Sequence, residues 1–205
     1  MKAIKALISI SILSVFSACG VQELKLGYFQ VEPYAKPFDR KVRVPLNIVL
    51  MEEVKDSVVV QGEGIRKMTV TEFRRSAAAS LINTLGKNFE NITILVTKPD
   101  TGLNLVIYRI RPFWKFNGRS SSSHGTGGYT YSTSRSFISA AFQFESSLFF
   151  NDEKLQNADL TIYSDDQMST RSHAYPVFKR GLIKMCETMN REIFTDEVTK
   201  RINDH

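Results

Sequence analysis

Cysteine is nearly missing from this chain: Cys19 lies at the end of an apolar leader, and Cys186 alone remains for the body. A single thiol closes no internal disulfide, so the fold must rest on an apolar core, and Cys186 reads as a small buried residue. Six prolines and eleven glycines in 205 residues are too few for a collagen-like or low-complexity polymer. A chain 42% apolar is not wholly disordered, and its length suits one globular domain with appendages. Long apolar runs are absent as well, which leaves no candidate for a membrane-spanning helix. The charge surplus, 27 − 21 = +6, reads as modest and spread along the chain, without the dense basic run of a nucleic-acid binder.

The compact signatures of chemistry are missing too. There is no G-x-S-x-G, H-E-x-x-H, P-loop or paired C-x-x-C. The three histidines, His124, His173 and His205, are dispersed. Asp165 and Asp166 are adjacent, which places them on opposite sides of an extended chain, and they read as turn formers, as do Asp152 and Glu153. The expectation is a protein that is not an enzyme, with no metal and no cofactor beyond a covalent lipid. An envelope glycan hydrolase using one of these carboxylates is the enzymatic rival.

What is present begins with the leader. Lys2 and Lys5 precede an apolar run over residues 6–16, too short to span a ~30 Å bilayer core, as in a secretory signal. It ends in Phe16-Ser17-Ala18-Cys19. That tetrapeptide resembles the lipobox of bacterial lipoproteins, with Phe16 where leucine is usual. The resemblance implies a signal peptide over residues 1–18, acylation of Cys19 at the mature N-terminus and a lipid anchor in the membrane. Gly20, which is not aspartate, points under the family's sorting rule to the outer membrane, on its periplasmic side.

Residues 19–40 hold Pro33, Pro37 and four aromatics without periodicity, and read as a lipidated tether. The single domain is expected over residues 41–202, with a short tail at 203–205. Val42 to Leu50 alternate as a strand, and Pro45 means that it lies at an edge or begins regular pairing only after that residue. Val58–Val60 before Gly62-Glu63-Gly64 suggests a short strand or a hairpin limb. From Thr69 the period turns helical, with Phe73, Ala77, Leu81 and Leu85 on the apolar side and Thr69 or Thr71 as cap. Strands follow at Ile92–Val96, at Val106, Tyr108 and Ile110, along the stripe from Ile138 to Phe150, and at Ala158–Ile162. A helix opened by Pro176 carries Phe178, Leu182, Met185, Met189 and Ile193 on one face, and Gly181 within it marks close approach to the sheet. The order β-α-β-β-β-β-α predicts an α+β two-layer sandwich: a mainly antiparallel sheet of four to five strands with two helices on one face. The opposite face, with Arg43, Asn47, Arg109, Arg111, Gln143 and Glu145, is left to solvent or a partner. This layout resembles small envelope lipoproteins of the LptE, YajG and ABC-transport auxiliary types.

One segment does not fit a plain domain. Residues 117–135 are rich in serine, glycine and threonine and join two strong strands, far more than a hairpin needs. They read as a long loop, either a flexible hairpin tip or a contact element using Tyr129 and Tyr131. Beside it lies an aromatic and cationic cluster, so the candidate partner-binding residues are Arg109, Arg111, Phe113, Trp114, Phe116, Tyr129 and Tyr131. The resulting expectation is an accessory or scaffold subunit of an envelope-spanning secretion, transport or surface-polymer assembly. Its partners would be other envelope proteins, with no nucleic acid. The alternative is a module binding lipid or lipopolysaccharide in a groove between helices and sheet.

Overall fold

The computed structural model describes residues 23–34, 37–38, 41–62, 65–124, 130–165, 167–168 and 174–204. The leader, the lipobox and Cys19 lie outside them. The fold is α+β, built from nine strands and three helices among the described residues. The main sheet takes β2 (Leu46–Leu50), β5 (Ile92–Leu95), β6 (Leu103–His124), β7 (Thr130–Phe150) and β8 (Glu153–Tyr163) in the order β5-β2-β6-β7-β8, and β9 (Gln167–Met168) pairs with β7. It is mixed: β2 runs parallel to both β5 and β6, whereas β6-β7 and β7-β8 are antiparallel. A second sheet holds β1 (Leu24–Leu26), β4 (Ile65–Val70) and β3 (Val58–Gly62).

The helices are α1 (Phe73–Leu85), α2 (Ala174–Ile193) and α3 (Asp196–Asn203). The stripe read for α2 is buried as expected: Phe178, Leu182, Met185, Met189 and Ile193 are closed off from solvent. Gly181 is where α2 meets the sheet. A Cβ there would lie 2.6 Å from Phe142 Cε2 and 3.0 Å from Ala140 Cβ, so no side chain fits without displacing the ring. Phe178 anchors the interface, with ring centroids 5.1 Å from Phe142, 6.3 Å from Trp114 and 6.4 Å from Phe73. Cys186 is buried on this helix, and burial pushes its thiol up to about 12, so it is held neutral.

Several sequence expectations change. The helix over 73–85 is preceded by strand β4, so Thr69 is a strand residue whose hydroxyl bonds the Glu23 carboxylate, and Glu72 occupies the cap. Residues 24–31 are part of the domain rather than tether: β1 pairs with β4, and Phe29 and Val31 are buried. Their backbone is satisfied by hydroxyls of α1. Ser76 Oγ accepts from the Phe29 amide at 3.2 Å and Ser80 Oγ from the Val31 amide at 3.3 Å. The buried side of α1 therefore includes Ser76, Ser80 and Thr84, while Ile82 is 38% exposed. The β7-β8 turn is tight, with Asn151 and Asp152 both at positive φ (45° and 65°), as a two-residue hairpin requires.

The largest change concerns residues 117–135, read as a long loop. Pairing between β6 and β7 continues through Asn117↔Phe137, Arg119↔Arg135 and Ser123↔Tyr131 to His124↔Thr130. Residues 117–124 and 130–135 are the outer part of one β-ribbon whose strands have 22 and 21 residues. Its alternation is invisible in hydropathy because serine, glycine and threonine occupy both faces.

Candidate functional site

A bulge sets which side chains β6 shows. Pairing passes from Ile107↔Ser146 to Arg109↔Glu145, leaving Tyr108 as the extra residue. Before the bulge odd positions face the helices, as in Leu103, Leu105 and Ile107; after it even ones do, as in Ile110 and Trp114, all buried. The single alternation read through Val106, Tyr108 and Ile110 is thus broken at Tyr108.

The aromatic and cationic cluster is therefore split between two faces. Trp114 is 6% exposed and packs on Phe178, and Phe116 packs against the same core, so these two candidates are structural. Arg111 is exposed opposite Gln143, and Phe113 is half-buried opposite Ala141. Arg109 lies across from Glu145 and pairs with its carboxylate at 3.2 Å. Lys115, one place further out on this face, holds its ammonium 4.6 Å from the Tyr163 ring centroid. Tyr163 itself, at the end of β8, is 42% exposed. Tyr131 sits at the register position opposite Ser123, and Tyr129 lies outside the described residues.

The outer face is not uniformly open. Near the β6 start, residues 96–102 fold over it. Asn104 Nδ2 donates to the carbonyls of Pro99, Thr101 and Gly102, each at 3.2 Å, and Val49 and Val106 beneath are buried. The accessible part is the lower patch of Arg111, Phe113, Lys115 and Tyr163. Beyond Phe137, among the described residues, the two ribbon strands pair only with each other.

Charge along the ribbon was missed by a search for dense runs. Between Asp100 and Glu145 the chain has no aspartate or glutamate, while Arg109, Arg111, Lys115, Arg119 and Arg135 all fall there. With Glu145 the only acid in the two strands, this hairpin carries a net 5 − 1 = +4. Counting acids, rather than clustered bases, would have found it.

The carboxylates considered for catalysis are engaged elsewhere. Asp152 pairs with Lys98, and Asp165 accepts from Lys184 at 2.6 Å. The Lys184 hydrogen bond, then its charge, holds the Asp165 carboxyl below its ordinary range. Asp166, His173 and His205 lie outside the described residues. Among the described residues no three His, Cys, Asp or Glu side chains are grouped to hold a metal ion.

No family model and no curated protein matches the chain. Among solved structures, a DUF330-family protein from Xanthomonas campestris is similar with a TM-score of 0.47 and 9% identity, over 87% of this chain and 92% of that one. A minor lipoprotein from Acinetobacter baumannii gives a TM-score of 0.36 and 8% identity, over 78% of this chain and 96% of that one. Likeness at that level assigns neither a family nor a function.

Proposed function

We propose that this chain is a lipid-anchored, non-enzymatic accessory protein of the bacterial outer membrane, held through Cys19 on the periplasmic side. Its ribbon serves as the contact surface for an envelope-spanning assembly. The observation that carries the reading is the ribbon. Its strands continue past the last residues that β8 and β9 pair, a construction that an isolated two-stranded hairpin does not reward with stability. Strand carried beyond the core is better understood as surface built for contact than as a folding element. The leader supports the anchor, and no described helix is long and apolar enough to cross a membrane.

The rival reading, a lipid or lipopolysaccharide groove between helices and sheet, finds less support. That interface is filled by Phe142, Phe178, Leu182 and Met185, each at most 1% exposed, with Gly181 closing the remaining gap. Labelled palmitate tests the anchor. Incorporation into the wild-type chain and its loss in Cys19→Ser are expected; no incorporation, or incorporation that survives the substitution, would refute it.

A further inference from the structure

We infer that the cationic face of the ribbon lies on the anionic phospholipid surface of the leaflet that holds the anchor, as a second attachment beside the acyl chains. The inference rests on the proposed acylation of Cys19 for its setting, but its own evidence is separate.

The first observation is charge placement. Register between Arg109 and His124 is unbroken, so Arg111, Lys115 and Arg119, four residues apart, fall on one face of β6. At ~3.3 Å per residue they form a row with a step of about 13 Å. The register also sets Arg119 directly across from Arg135. Like charges at facing register positions destabilise a strand pair. A planar anionic surface would relieve all four at once.

The second observation is where the chain enters the domain. Phe29 packs on Tyr175 and Phe178 in the first turns of α2, with centroids 6.0 and 5.9 Å away. The Tyr34 amide donates to Glu187 at 2.9 Å, and Phe38 meets Phe194, just past the end of α2, at 6.1 Å. The N-terminal segment therefore runs along α2 from its start to its end. The start of α2 is at the ribbon end of the sheet, since Phe178 packs on Trp114 and Phe142. The end of α2 is at the far end: Gln156, which pairs with Leu148, donates to the Glu192 carbonyl. The chain thus enters the domain at its ribbon end. Cys19 precedes Leu24 by five residues, a reach of at most ~18 Å, while the eight residues from Asn117 to His124 extend the ribbon by ~26 Å. The point where the chain enters the domain and the cationic row thus lie at one end of the described domain, and five residues of chain have a reach comparable to the ribbon's length. An acyl anchor combined with a basic patch is a known route to stable membrane attachment, and each Lys or Arg near an anionic surface strengthens binding about five-fold.

The test uses the unacylated chain, residues 20–205, which retains every described element and all of the described core. Its co-sedimentation is measured with phosphatidylcholine vesicles, with and without 30% phosphatidylglycerol. Binding only to the anionic vesicles, weakening as salt rises, is expected. The triple variant Arg111→Glu, Lys115→Glu, Arg119→Glu should bind about 100-fold less. A matched variant at the far end, Lys41→Glu, Arg43→Glu, Lys200→Glu, alters the cleft of about 790 Å³ there and should lose less than five-fold. Circular dichroism confirms that both variants are folded. Absent binding, equal binding to neutral vesicles, or equal loss in both variants would overturn the inference. So would salt-sensitive capture of an acidic protein without vesicle binding. Because this chain carries no acyl group, the outcome is independent of the palmitate result.

Discussion

The interface of α2 with the sheet and the outer part of the ribbon use the same two strands for opposite purposes. At the interface, β6 and β7 present Trp114, Ala140 and Phe142 to one helix, and Gly181 lets the backbone approach until the Phe142 ring fills the gap. Within ten residues further out on each strand the same pairing continues, with serine and glycine in place of those large apolar groups. The first region is explained by burial, since each large side chain closed off there contributes ~1.5–3 kcal/mol. The second has no comparable apolar residues to bury. Strand pairing is therefore shared, and the chemistry attached to it divides the molecule into a part that folds and a part that meets something else.

Substitutions can break that contrast, most strongly in the core. Phe178→Ala removes the ring on which Phe29, Phe73, Trp114 and Phe142 all pack, and should cost ~3–5 kcal/mol in denaturant unfolding. A loss below ~1 kcal/mol would mean that the helix–sheet interface is not where stability lies. Gly181→Ala gains roughly 1 kcal/mol of helix propensity but drives a methyl into Phe142, and a net destabilisation of ~1–3 kcal/mol is expected from the same measurement. A more stable Gly181→Ala protein would show that the approach is looser than described.

A smaller effect should come from Asp165. Its carboxyl is held below the ordinary range by Lys184, so the stabilisation is present above the unfolded carboxylate range and is lost as pH falls through the lower folded value. The pair is largely exposed, so Asp165→Asn should cost less than ~1 kcal/mol near neutral pH and nothing in acid. A cost that persists unchanged in acid would assign the effect to packing rather than charge.

Much of the folding part was legible. The α2 stripe has apolar residues at steps of three and four, and a single buried face is the only arrangement that satisfies them. Gly181 was legible for the same reason, as a costly residue inside an otherwise regular helix. Two features were hidden because polar groups carry them. Phe29 and Val31 join the core only because Ser76 and Ser80 accept their amides, and serines on a helix give no hydropathic sign of such a task. The bulge at Tyr108 adds one residue and exchanges the faces of everything after it, so Trp114 and Phe116 could not be separated from Arg111 and Phe113 by composition. The ribbon escaped because its pairing is inherited from the apolar strands beneath it, and its cations escaped because four-residue spacing along a strand never forms a run.

The most direct measurement replaces residues 119–135 by Asn-Gly, which closes a two-residue turn between Gly118 and Ser136, partners in the present register. Unfolding of this shortened protein is compared with crosslinked capture of envelope proteins from intact cells. A midpoint within ~0.5 kcal/mol of the full protein, together with loss of the captured partners, is expected. Undiminished capture, or a collapse of stability, would contradict the division between a folding core and a contact ribbon.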